Sequence, residues 1–125
     1  MDEELSPNFR RSEFACKGGF CCGHSAPISN DLIAALEAYR DSMGGQPLTI
    51  NSGFRCLTHN RIIGSKDSSQ HPRGTACDIS GNGYNVGDME RKAMHFFNKV
   101  IRYSWGIHVD VRPTKRRRPS ERFKL

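Results

Sequence analysis

Ser69-Gln70-His71-Pro72-Arg73-Gly74-Thr75-Ala76-Cys77-Asp78 is the stretch whose reading decides the fold of this chain. The separation of His71 from Asp78 suits neither one face of a strand nor a single helical turn. Pro72 and Gly74 permit a loop that folds back over its own strand, bringing imidazole and carboxylate together. The strand itself is expected over residues 76–80, with His71 in the loop that approaches it and Ala76 keeping the wall beneath the pair small. Further along, Ile107 to Val111 alternates apolar and polar residues and predicts a strand that puts His108 and Asp110 on one face. His71, Asp78 and His108 then make two imidazoles and a carboxylate, the donor set of a catalytic zinc site with a fourth position open to water.

Outward from these segments the pattern is helical and then turn-rich. Ser29-Asn30-Asp31 is a capped helix start, and Leu32, Ile33, Leu36, Tyr39 and Met43 recur at helical spacing until Gly44-Gly45 stops the run. Pro47 leads into a short strand over 48–51, and Ser52-Gly53 turns the chain to present Phe54 and Arg55. A short helix is expected from Thr58 to Ile63, ended by Gly64. Asp88 starts a helix expected to run to about Val100, with Met89, Ala93, Phe96, Phe97 and Val100 as its apolar face. Strands and helices mixed in this way predict a small α+β domain with an antiparallel sheet and flanking helices.

The chain of 125 residues is large enough for one domain with one modest core. Seven of its basic residues, with Glu121 as their one acidic neighbour, fall in residues 112–125, so the formal charge of +6 belongs to a tail and residues 1–111 are balanced. A zinc-binding domain is therefore expected over 1–111 and a basic tail over 112–125. A tail of this kind can attract anionic polymers, but it supports no specific nucleic-acid recognition. No apolar run approaches the roughly 20 residues needed to span a bilayer, so no membrane partner is expected, and a monomer is. The acidic, polar N-terminus does not read as a secretory signal. Synthesis in the cytoplasm, with delivery to its site of action by another route such as phage- or prophage-borne lysis, is the matching expectation. Cys16, Cys21, Cys22 and His24 cluster in sequence and could form a small structural metal site, but they contain no clean CxxC pair. Free or locally paired thiols are the preferred reading of the five cysteines.

The SxHxxGxAxD pattern of residues 69–78 resembles the signature of the M15 zinc peptidases. That group contains D-alanyl-D-alanine carboxypeptidases and murein endopeptidases and shares its fold with the hedgehog signalling domain. NFRRSEFACK near the start, NSGFRCLTHN at 51–60 and HVDVR at 108–112 are similar to further blocks of the carboxypeptidase-like members. The resemblance implies a hedgehog/DD-peptidase-like fold, one catalytic zinc held by His71, Asp78 and His108, and peptidoglycan peptides as substrate. It implies that Arg55 holds and polarises the substrate near the scissile carbonyl, and that Ser69 and Gln70 line the cleft. Relatives place a Glu, Asp or His close to the last zinc histidine as general base. Here Trp105, Gly106 and Ile107 stand before His108, which leaves Asp110 as the expected acceptor of the attacking water's proton. The alternatives are that Asp110 orients His108 or Arg55, and that the chain is a zinc-bearing binding module without catalysis.

Overall fold

The computed structural model describes residues 2–18 and 21–113. The basic tail beyond Pro113 lies outside the described residues. A hairpin of β1 (Glu4–Ser6) and β2 (Phe9–Arg10) opens the chain, followed by a 3-10 turn at Arg11–Phe14. Then come α1 (Asn30–Ser42), β3 (Thr49–Ser52), α2 (Leu57–Ile62), a 3-10 turn at His71–Arg73, β4 (Ala76–Ser80), α3 (Val86–Ala93), β5 (Lys99–Arg102) and β6 (Ile107–Asp110). The main sheet has the order β3-β4-β6-β5 and is antiparallel throughout. The expected α+β class with an antiparallel sheet and flanking helices is the one observed. Among the described residues no helix is long and apolar enough to cross a membrane.

The first helix forms as its sequence dictates. The Ser29 hydroxyl accepts from the backbone N–H groups of Asp31 and Leu32, satisfying donors that the first turn leaves unpaired. Leu32, Ile33, Leu36 and Tyr39 are buried on one side, and Gly44 and Gly45 leave the helix with φ of 90° and 76°, a conformation glycine adopts without strain. The Tyr39 hydroxyl donates to the Met89 carbonyl at 3.0 Å, tying α1 to α3 inside the core. Its ring meets Phe96 and Phe97 edge-on, with centroids 6.0 and 5.6 Å away, the arrangement that suits aromatic quadrupoles.

Residues 94–100 depart from the sequence expectation. The helix stops at Ala93, a turn closes through bonds from the His95 and Phe96 N–H groups to the Lys92 and Ala93 carbonyls, and the Asn98 N–H bonds to the Asp110 carbonyl. Val100 then pairs with Val109 as part of an edge strand. The physical reason is the open side of β6: β-branched Val100 and Ile101 satisfy its free backbone groups, which outweighs continuing a helix. The β1–β2 hairpin was likewise not expected; Asn8 anchors it to α1 through two bonds to the Glu37 carboxylate of 2.8 and 2.7 Å.

The two faces of the sheet divide the labour. Ile50, Cys77, Ile79, Ile107 and Val109 face the helices and join the hydrophobic core. The alternate residues Ala76 and Asp78 of β4, and His108 and Asp110 of β6, point to the other face. All four residues of β6 are buried, because its polar side chains lie under a cleft rather than in open solvent.

Candidate metal centre

Register across the centre of the sheet builds the site. Asp78 and His108 stand directly opposite each other on β4 and β6, close enough for side chains on one face to interact. The 3-10 turn brings His71 over them. That turn depends on Gly74, whose φ of 74° is left-handed and whose Cβ, were there one, would lie 2.4 Å from the Pro27 carbonyl oxygen. No other residue fits both conditions without displacing backbone.

His71 Nε2 lies 3.4 Å from Asp78 Oδ1, and His108 Nδ1 lies 3.1 Å from the same oxygen. One donor atom from each residue falls within 4.8 Å of the others. Tetrahedral zinc bonds of ~2.0–2.2 Å place donors ~3.3–3.6 Å apart, so these separations fit a metal with little movement. The remote nitrogens are committed elsewhere. His71 Nδ1 donates to the Gly53 carbonyl at 2.7 Å, and His108 Nε2 donates to Asp110 Oδ2 at 2.7 Å. Such outer bonds fix the tautomer that leaves the facing nitrogen as a lone-pair donor. Burial opposes ionisation of Asp78, but the facing His108 and His71 rings outweigh it, through hydrogen bonds that a bound metal would replace, and hold the carboxyl well below the usual range. Burial also disfavours a charged His108, yet Asp110 and Asp78 raise its pKa above the ordinary value.

Asp110 is fully buried behind His108. Its oxygens are taken by His108 and by Arg112, whose guanidinium reaches Oδ1 and Oδ2 at 2.8 and 2.7 Å while its backbone N–H bonds Oδ1 at 3.1 Å. It therefore meets the ring nitrogen turned away from Asp78 and does not line the cleft. That geometry favours the alternative in which Asp110 orients His108 over the expected role of accepting a water's proton. The same contacts attach Arg112, grouped by charge with the tail, to the sheet.

The centre floors a cleft of about 430 Å³ lined also by Arg55, Ser69, Gln70, Tyr103 and Arg112. Arg55 leaves the end of β3 half-buried and reaches the Ser69 hydroxyl at 3.5 Å. It has no ion-pair partner among the described residues, and burial lowers its pKa against the opposing charge of Asp78. The Ser69 hydroxyl also accepts from the His71 N–H at 3.2 Å, while the Gln70 side chain accepts from Thr75 at 2.9 Å. Tyr103, which sequence reasoning did not single out, comes from the β5–β6 turn and stacks on Trp105 with centroids 5.1 Å apart. Burial and then the charge of Asp78 raise the pKa of its phenol, which stays protonated at neutral pH. Nothing in the Tyr103-Ser104-Trp105 stretch distinguishes it from an ordinary aromatic turn. Among the described residues, the cleft lining contains no carboxylate or imidazole apart from the converging trio.

The Peptidase M15 family model matches residues 7–110, a span that runs from just before β2 to the end of β6 and contains the whole main sheet. The chain belongs to the peptidase M15 family. Within that family it is similar to a zinc D-Ala-D-Ala carboxypeptidase of Streptomyces albus G, at 32% identity over 118 residues, which are 88% of this chain and 46% of that enzyme. The chain thus spans about half the length of this M15 relative. The signature segment of the peptidase, residues 69–78, carries two members of the converging trio, and β6 carries the third.

Proposed function

We propose that the chain is a zinc-dependent carboxypeptidase acting on peptides that end in D-alanine, as the stem peptides of peptidoglycan do. The observation that carries this is the converging trio on the cleft floor, each imidazole presenting one free nitrogen while its other nitrogen is held by a carbonyl or a carboxylate. In this reading His71, Asp78 and His108 hold the metal, and Asp110 is a positioning residue that orients His108 with Arg112 braced behind it. Zinc bound there supplies a Lewis acid for a substrate carbonyl and lowers the pKa of water from about 15.7 toward 7.

The chain's own residues do the rest. Arg55, half-buried and without a carboxylate partner among the described residues, grips the terminal carboxylate or the carbonyl of the substrate through its planar fork. Ser69 holds that guanidinium and the His71 turn in one place. The Tyr103 phenol donates a hydrogen bond to negative charge developing on the carbonyl oxygen. The likeness to the zinc D-Ala-D-Ala carboxypeptidase of Streptomyces albus G supports the same choice. Arrival at the wall by lysis-associated delivery remains part of the proposal.

A second reading, a zinc-bearing binding module, is favoured by one observation: among the described residues the cleft lining offers no spare carboxylate or imidazole as a base. Digestion of purified peptidoglycan and of a peptide ending in D-Ala-D-Ala, with and without chelator, separates the two. Chelator-sensitive release of free D-alanine, identified by mass, is the expected result. Cut cross-links without free D-alanine would make the chain an endopeptidase. Zinc-loaded protein that binds wall peptides and leaves both substrates intact would sink the peptidase reading.

A further inference from the structure

A second group of metal-binding side chains lies away from the cleft trio. The loop after Phe14 is folded on itself by backbone and side-chain bonds. The Cys16 N–H donates to the Ser25 carbonyl at 2.8 Å, His24 Nδ1 donates to the Cys16 carbonyl at 2.9 Å, and the Ser25 hydroxyl donates to the Cys22 carbonyl at 2.7 Å. Left-handed Gly23 and His24, with φ of 67° and 59°, turn the chain sharply after Cys22. These bonds use the polar groups of the loop and leave its sulfurs pointing inward, where Cys56 joins them from the turn before α2. Sulfur atoms of Cys16, Cys21, Cys22 and Cys56 all lie within 4.8 Å of one another.

The spacing selects between a disulfide and a metal. Cys16 and Cys21 sulfurs are 3.8 Å apart and Cys21 and Cys22 sulfurs 3.9 Å. A disulfide needs about 2.05 Å, and all four are free thiols. Four thiolates around one zinc at ~2.3 Å stand ~3.8 Å apart along each tetrahedral edge. The sulfur of Cys56 accepts from the His59 N–H at 3.4 Å, a bond that suits a thiolate ligand. The backbone packs close against the group, since a Cβ on Gly18 would meet the Cys21 sulfur at 2.5 Å. His24, which sequence proximity suggested as a member, spends its Nδ1 on the Cys16 carbonyl instead.

We propose that Cys16, Cys21, Cys22 and Cys56 form a structural four-thiolate site for zinc, separate from the cleft. It clips the N-terminal loop to the turn that carries Arg55, the immediate neighbour of Cys56. Tetrahedral all-sulfur donor sets take zinc, or iron as an alternative guest, and closed sites of this kind contribute directly to folding. The proposal does not depend on the peptidase reading, because no cleft residue is a ligand.

The test uses the full chain purified under reducing conditions, first unaltered. A mercurial reagent that blocks thiols, added with a chromophoric zinc indicator, should free one zinc per chain from the sulfur site. A second zinc, held by the cleft trio, should need chelator. If only the mercurial-released zinc is found, the sulfur site stands and the cleft reading fails. In cobalt-loaded protein, intense sulfur-to-cobalt charge-transfer absorption should persist unchanged in His108→Ala and weaken in Cys56→Ser, which removes one of the four sulfur donors. The unaltered-chain titration decides the matter even if Cys56→Ser fails to fold. No mercurial-released metal, absent charge-transfer absorption, or a mass reduced by two hydrogens per disulfide would each overturn the proposal.

Discussion

Asp110→Asn separates a positioning residue from a base. In the structure Asp110 Oδ2 lies 2.7 Å from His108 Nε2, and Arg112 grips both carboxylate oxygens. Asparagine keeps a neutral acceptor for His108 but removes the charge from that bond. A charge-assisted bond contributes about 1.5–3 kcal/mol against about 0.5–1.5 for a neutral one, so the loss is about 1–1.5 kcal/mol. At 1.4 kcal/mol per decade this weakens zinc affinity about tenfold, the low end of the 10–100-fold typical of outer partners of metal ligands. Competition against a chromophoric chelator measures the affinity, and circular dichroism checks that the fold is kept. With zinc in excess, most of kcat should return. Loss of a general base instead costs about 10²–10⁴ in rate whatever the zinc concentration. Unchanged zinc affinity together with a fall of that size at saturating zinc would refute the positioning role.

Arg55→Lys keeps the charge and loses the fork, so kcat/KM on a D-Ala-D-Ala-terminated peptide should fall about tenfold or more, the worth of one charged hydrogen bond; equal kcat/KM would remove Arg55 from substrate binding. Tyr103→Phe removes only a hydroxyl, and kcat/KM should drop about 10²-fold with the melting temperature unchanged. Full activity in that variant would leave Tyr103 as a cleft wall and nothing more. Gly74→Ala forces a left-handed alanine, costing about 1–2 kcal/mol, and drives its Cβ onto the Pro27 carbonyl. Its melting temperature should fall by roughly 10 °C, and an unaltered melting curve would contradict the packing of the His71 turn against Pro27.

Local signals were legible wherever neighbours in the chain settle the outcome. Ser29 and the Gly44-Gly45 pair bound α1 because a cap and a left-handed exit act within a turn of the residues that need them. The strand over 76–80 came out at the expected residues, while β3 and α2 were displaced by one residue from their expected starts. The apolar spacing of Phe96, Phe97 and Val100 reads as helix, yet the open side of β6 converted the last of these to strand. That outcome depends on a partner strand whose position no local window contains. Cys56 shows the same limit, since its sulfur joins three others through folding and not through spacing.

The sequence by itself determined the donor chemistry: imidazoles at His71 and His108, a carboxylate at Asp78, and Pro72 and Gly74 to bend the loop between His71 and Asp78. It also determined the α+β class, because capping, glycine exits and alternation operate between residues near one another in the chain. The tertiary structure decided the roles within the site. Asp78 and Asp110 are both carboxylates beside His108, and only the register of β4 against β6 gives Asp78 the ring nitrogen Nδ1 and Asp110 the nitrogen Nε2. It likewise turned Tyr103 into the cleft and bound Arg112 to Asp110. Which atom of a side chain meets which partner is set by strands and turns distant in sequence, where side-chain identity alone carries no such information.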